Sequence, residues 1–396
     1  MTSAVTDLPP TAEDEPALLA WLATMRDEHP AWRDRYGIWH VFRHADVEAI
    51  LRDPATFSSD TGRLVPAAAP MRRGLLTQID PPEHRALRRL VSATFTPRMV
   101  AGLEPRIRAL TGDLLDGAGE RFDLVDALAF PLPVTVIAEL LGLPPQDRPL
   151  FRSWADSLFS QQVGDPTDPR VMEKFQAAIS EITDYFKAAC AARRGGGGRD
   201  GADLISALVT NEVDGRILDD EEAANFSMLL LLAGHVTTTV LLGNAVRTFD
   251  ENPGVWDELR AEPALIPGAI EEVLRYRSPF VQVGRSTMRP VEVAGVELPA
   301  DVIVLPWLLG ANRDPRAHRD PDRFDIRRGL GGGAQLAFGH GAHFCLGAPL
   351  ARLEGRVALE ELTRRYRRLD VDHAVPVRHF PQGILGTREL PVVATR

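Results

Sequence analysis

The chain has 396 residues, 44% of them apolar and 25% charged, enough for one large core or two. A net charge of −10 argues against a general nucleic-acid binder, and two cysteines, Cys190 and Cys345, rule out a disulfide framework and fit a reducing cytoplasm. No secretory signal is legible at the start, and the most apolar run, 228–233, falls far short of the roughly 20 residues of a bilayer span, so no membrane association is expected.

Residues 1–16 are polar and proline-broken and are expected to be flexible. The spacing predicts a helix over 17–29, a strand through the alternation at 37–42, and a short helix over 45–51 that Asp53-Pro54 stops. Residues 59–78 read as a long loop with apolar Leu64, Val65, Met71, Leu75 and Leu76, and such loops inside compact domains are usually functional. Asp80-Pro81-Pro82 then starts a helix that puts His84 and Arg88 four apart on one face. That pair suits an anionic carboxylate, and equally a solvated basic face. Residues 100–192 read as successive helices. Residues 193–203, with four consecutive glycines, read as a flexible surface connector, since no Gly-Lys-Ser/Thr follows to make a phosphate loop.

The longest helical pattern runs from Asp219 to about Thr248, with Asp219, Asp220, Glu221 and Glu222 crowding its first turn. Its middle, Leu232-Ala233-Gly234-His235-Val236-Thr237-Thr238-Thr239, holds poor helix formers. Threonine hydroxyls bonded one turn back would open the ladder there and make room for a ligand. Next, 270–276 is apolar-periodic, with Glu272 and Arg275 three apart, a pair worth little on an open surface. Residues 291–305 alternate as a small β unit, and 384–385 with 390–393 suit a second. Between these lies Phe338-Gly339-His340-Gly341-Ala342-His343-Phe344-Cys345-Leu346-Gly347-Ala348-Pro349, running into an amphipathic helix over 350–366. Its glycines admit positive φ and the close approach of something flat and bulky. Cys345 stands at the helix mouth, where free N–H groups favour a thiolate, either a metal ligand or a nucleophile.

The register Phe338-Gly339-x-Gly341-x-x-x-Cys345-x-Gly347 resembles the haem-binding loop of the cytochrome P-450 superfamily, in the form of the soluble bacterial haem-thiolate monooxygenases that tailor polyketides and macrolides. His84/Arg88, residues 233–238 and Glu272/Arg275 match the same family in the same order. The resemblance implies a mainly α, single-domain fold over 1–396 with small β-sheets gathered to one side. It implies haem b, with Cys345 as the iron ligand. Phe338, Gly339, Gly347 and Ala233 would lie against the cofactor, and His84, Arg88, Arg285 and His343 would hold its propionates. Arg323 would close an ion network with Glu272 and Arg275 that braces the loop. Thr237 falls on the catalytic alcohol that steadies dioxygen and its protons. The acid that usually precedes that alcohol is here Val236. Water, His235 or the substrate then supplies protons, or the outcome departs from plain hydroxylation toward multi-step oxidation, coupling or isomerisation.

By the same resemblance, Leu232, Ala233, Phe280 and Val281, with the turn near Gln382-Gly383-Ile384, would meet the substrate. Such a pocket suits a lipophilic small molecule, to be hydroxylated or epoxidised with O2. Electrons would come from a separate ferredoxin or flavodoxin docked near Arg85, Arg89 and Arg352, on a monomer. Two other classes remain open: a cysteine hydrolase or transferase using Cys345 with His340 or His343, and a haem sensor or non-redox isomerase.

Overall fold

A computed structural model describes residues 8–64, 73–159, 169–195, 203–212, 215–328, 334–381 and 383–396. The chain is built around the helix Asp220–Glu251. A capping box starts it: the Asp219 carboxylate accepts from the Glu222 N–H, and the Glu222 side chain accepts from the Asp219 N–H. Most of its length is buried on every side, as an all-round apolar helix must be. It packs against helices Pro169–Arg194, Pro131–Leu141 and Ala348–Arg365. Leu132, Ile137, Phe186, Phe226, Leu231, Val357 and Leu362 belong to the one large core these helices share. Among the described residues it is the single helix long and apolar enough to cross a membrane, and its burial marks it as a core helix.

The strands form four small sheets among the described residues. Trp39–Val41 sits in a five-stranded sheet between Ala31–Arg33 and Ile303–Pro306, followed by Arg285–Thr287 and Phe57–Ser58. This sheet covers a second core of Val41, Ile50, Val304 and Leu308. Pro391–Thr395 is the middle strand of a three-stranded sheet with Arg121–Asp123 and Arg368–Val371.

Several expectations shift. Residues 8–16 are not a loose tail, because Ala12 packs with Leu18, Trp21 and Phe42, and Glu15 is buried at the start of helix Glu15–Glu28. The ends of the 193–203 connector are tied down: Arg193 donates to the Gly142 carbonyl (2.7 Å) and Arg194 to that of Val209 (2.8 Å), while Asp203 caps helix Leu204–Thr210. Residues 196–202 lie outside the described residues. The 100–192 stretch is not helical throughout, since strand Arg121–Asp123 interrupts it. The predicted β unit over 291–305 divides. Val291–Val293 and Val296–Leu298 pair as a hairpin, but Ile303–Pro306 joins the five-stranded sheet. The threonine-rich middle of the central helix stays helical, because the Thr237 hydroxyl bond to the Ala233 carbonyl adds to the ladder without displacing it.

Candidate active site around Cys345

The loop before helix Ala348–Arg365 folds back on itself. The Cys345 N–H donates to the Phe338 carbonyl (2.9 Å), closing a ring that contains Gly339 at φ +69° and Gly341 at φ +70°. Gly341 is also a close approach, since a Cβ there would lie 2.8 Å from the Leu51 carbonyl oxygen. A Cβ on Gly347 would lie 3.9 Å from the Cys345 sulfur, an ordinary contact, so the residue borders the thiol without crowding it. Burial pushes the Cys345 thiol up. The N–H groups of Gly347 and Ala348 and the charges of Arg88 and Arg352 pull the other way without overcoming it. The helix mouth therefore does not by itself make a free thiolate here; a bound metal would, because coordination deprotonates a thiol outright.

The loop is braced from behind. Glu272 is paired in bidentate fashion with Arg275 (2.8 Å to each oxygen), and both are buried. Arg275 also donates to the carbonyls of Asn312 (2.9 Å) and Pro321 (2.8 Å). Asn312 accepts from the Leu336 N–H (2.7 Å), which carries the brace into the cysteine loop. The expected third member, Arg323, does not contribute its side chain. Its exposed side chain leaves only its carbonyl in the network, and Arg328 closes the ion pairs to Glu272 at 3.0 and 3.1 Å. Arg352 is likewise committed: it grips Glu271 (2.6 and 3.0 Å) and lies 4.6 Å from the Phe338 ring centroid.

The central helix supplies a second wall. Ala233 is exposed, and Leu230, Gly234 and Thr237, spaced with it at i, i+3, i+4, i+7, are only part-buried in the middle of an otherwise buried helix. The Thr237 hydroxyl donates to the Ala233 carbonyl (2.9 Å). Phe280 packs beside the cluster of Val236, Val240, Phe380 and Ile384. Val281 does not: it is buried with Trp21, Phe42 and Leu385, away from that cluster. Leu232 is buried in the main core. His235 is two residues from Thr237 and so about 200° around the helix. It lines a cavity of about 60 Å³ with Phe130, Asp156 and Thr239, and its Nδ1 lies 2.6 Å from the Leu231 carbonyl.

A third group of basic side chains, His84, His343, Arg88 and Arg285, gathers around the loop. His84 is buried, neither ring nitrogen has a partner, and its ring lies 4.2 Å from that of His343. Burial and the neighbouring His343 and Arg88 push it down to about 4. His343 Nε2 is 2.9 Å from the Ser59 hydroxyl and 3.7 Å from Asp80. Arg88 donates to the loop carbonyls of Ala342 (2.9 Å) and Phe344 (2.7 Å). Arg285 is buried, bonds only the neighbouring Gly284 carbonyl among the described residues, and is pulled down to about 10 by that burial. A buried arginine without a bonded carboxylate and a histidine with two orphan nitrogens are what an entering carboxylate would satisfy. Among the described residues no three His, Cys, Asp or Glu side chains could together hold a metal ion, so a metal at Cys345 would bring its other ligands with it.

Asp80, Ser59 and Asn312 escaped the sequence reading. Their signal is only spatial, since each lies far along the chain from the group it touches. Val65, Met71 and Gln382 lie outside the described residues.

The comparisons agree with this arrangement. The cytochrome P-450 family model matches residues 150–393. The erythromycin C-12 hydroxylase of Saccharopolyspora erythraea is 61% identical over 386 residues, covering 97% of this chain and 96% of that protein. The cyclomarin C epoxidase CymV of Salinispora arenicola is 45% identical, covering 95% of each. A mutant of P-450 EryK in complex with erythromycin B superposes with a TM-score of 0.93 at 60% identity, covering 98% of each chain. The chain is a member of the cytochrome P-450 family, a mainly α haem monooxygenase of secondary metabolism.

Proposed function

We propose that this single-domain enzyme is a cytoplasmic hydroxylase of a macrolide, and that the observation carrying the site assignment is the pair of walls: the glycine-cradled Cys345 and the part-exposed stripe around Ala233 and Thr237. Cys345 is the iron ligand. Phe338, Gly339 and Gly347 would hold haem b from the cysteine loop, and Ala233 from the central helix. Arg285, His84, His343 and Arg88 take the propionates. For Arg88 this means exchanging a loop carbonyl for a carboxylate, a stronger charge-assisted bond. When bound, a haem of this kind supplies the chemistry that divides O2 between a C–H or C=C bond of the substrate and water.

The chain's own contribution is to hold the reactants. Thr237 offers its hydroxyl to the oxygen side, released from the Ala233 carbonyl on which it rests. Phe280, Phe380 and Ile384 present an apolar face that fits a lipophilic substrate and excludes water from it. A ferredoxin or flavodoxin docks where Arg85 and Arg89 stand exposed on the helix Glu83–Thr94 that reaches the loop through Arg88. Hydroxylation is favoured over epoxidation because the hydroxylase relative is the more similar of the two named above. The expected form in solution is a monomer.

The test is spectroscopic. The reduced holoprotein under carbon monoxide should show the red-shifted Soret band of thiolate-ligated haem; a histidine-type band would remove Cys345 from the iron. Titration with erythromycin B, alongside a steroid and a terpene, should then shift the resting Soret band for the macrolide first. A shift with the steroid or terpene alone would overturn the substrate class.

A further inference from the structure

Two polar atoms at the cavity beside the central helix have nothing to bind. His235 is fully buried, and its Nδ1 lies 2.6 Å from the Leu231 carbonyl. A carbonyl can only accept, so Nδ1 carries the ring proton. Burial pushes the ring down to about 4, so it is neutral and Nε2 is left as a bare acceptor. Among the described residues Nε2 has no partner. Thr239 stands one turn further along the same face, and its buried hydroxyl has no partner either. Both residues line the cavity, whose volume of about 60 Å³ is well above the roughly 10–15 Å³ that one water needs. Buried polar atoms are nearly always bonded, so two orphans at one cavity mark a place that receives a polar group.

The lining narrows what that group is. Arg152, Asp156, Arg388 and Glu389 border the cavity, two charges of each sign. Each is already paired: Arg388 with Asp156 (3.1 Å), Arg152 with Asp126 (2.6 Å) and Glu389 with Arg378 (3.2 Å). No net charge is left over to hold an ion, so the group is neutral. Nε2 only accepts, so the group must donate, while the Thr239 hydroxyl can give or take. An alcohol does both with one oxygen; a ketone or ether oxygen has no proton for Nε2.

The cavity is continuous with the apolar face already described. Ala155, Val236 and Phe380 belong both to its wall and to the cluster that contains Ile384 and is flanked by Phe280. His235 and Thr239 are each two residues from Thr237, about 200° around the helix from it. A group bound here is therefore held away from the carbon that is oxidised. Val236 leaves this wall uncharged where an acid would have added a charge.

We infer that His235 and Thr239 form a specificity subsite for a free hydroxyl of the substrate, which donates to Nε2 and pairs with the Thr239 oxygen. The inference rests on the monooxygenase reading and deepens it: the lipophilic substrate carries an alcohol remote from its site of oxidation. No bond is made or broken at the subsite. His235 reads the substrate and gives up no proton, since its one N–H stays on the Leu231 carbonyl.

Two measurements test this. Nitrogen NMR of the isotope-labelled, reduced, carbon-monoxide-bound holoprotein, assigned with His235→Gln, should show His235 as a neutral ring protonated at Nδ1. A ring protonated at Nε2 would overturn the subsite and leave the monooxygenase reading intact, because no substrate is present. Soret titrations then use whichever of erythromycin B, a hydroxysteroid or a terpene alcohol binds, beside derivatives in which single hydroxyls are replaced in turn by hydrogen. One derivative should bind wild type about tenfold or more weakly than its parent, the cost of leaving Nε2 unpaired. His235→Leu should bind parent and derivative alike, and His235→Gln, which keeps an acceptor, should recover part of the difference. Thr239→Val should reduce the difference, and it carries the comparison if His235→Leu fails to load haem. A parent-to-derivative ratio unchanged by these substitutions for every hydroxyl would leave water as the cavity's occupant and overturn the inference. A wild type that binds none of the three ligands would overturn it together with the substrate class.

Discussion

Gly341 shows how much one missing Cβ decides at the cysteine loop. Its φ of +70° is in the region that non-glycine residues pay to enter, and the Leu51 carbonyl oxygen stands 2.8 Å from where a Cβ would be. Gly341→Ala should therefore cost about 1–2 kcal/mol from backbone strain, plus the clash. The thermal midpoint should fall, and the reduced carbon-monoxide spectrum should lose part of its thiolate band as the loop shifts Cys345. An unchanged midpoint would mean that the helix His44–Arg52, which carries Leu51, yields easily. His84 was legible in the sequence as one of a spaced pair, but its two orphan nitrogens were not. Being unpartnered is a property of the surroundings and not of the residue.

At the scale of elements, the brace behind the loop separates two arginines that look alike in sequence. Arg328 donates to both Glu272 oxygens, whereas Arg323 offers a carbonyl. Arg328→Ala should destabilise the fold by about 2 kcal/mol, as loss of a hydrogen-bonded charge at a buried carboxylate does. Arg323→Ala should stay within about 0.5 kcal/mol, because a backbone carbonyl survives the change. Denaturant unfolding of the two variants checks this, and the reverse order would restore the expected role of Arg323. The misassignment has a physical cause: both arginines lie in one short irregular segment, and only its folded path decides which guanidinium reaches Glu272. The element Ala348–Arg365 carries a similar lesson. Positions 350, 353, 354 and 357 share one helical face, so the burial of Glu354 was readable from spacing alone. A glutamate on an apolar stripe looks like a flaw in the pattern until its packing is seen.

At the scale of the whole molecule, the N-terminal helix is clamped to the far end of the central helix. Glu15 accepts from Arg277 (2.8 Å) and is ion-paired with Arg247 (2.9 Å), and Arg277 also holds Glu251 (2.6 Å). Burial alone would raise Glu15, but the two arginines outweigh it and hold it below the usual carboxylate range. A group whose folded value is depressed stabilises the fold above its unfolded value of about 4.3, and that stability is lost as the pH falls through the folded value. Glu15→Gln should therefore cost about 2–3 kcal/mol at pH 7. The gap between the two thermal midpoints should close as the pH drops below about 4. A gap that persists in acid would show that the clamp works through packing and not through charge.

Local order was largely written in the sequence: the cysteine loop, the capped central helix and the His84/Arg88 and Glu272/Arg275 pairs are short-range patterns of glycine, charge and apolar spacing. These carried the family and the identity of the residues around Cys345. Tertiary structure alone decided where Val281 is buried, that Arg328 replaces Arg323, that the Ala233–Thr237 stripe is only part-buried, and that neither Glu354 oxygen has a hydrogen-bond partner. Each of these depends on which distant segments meet, and burial and partnership are set by packing across the chain.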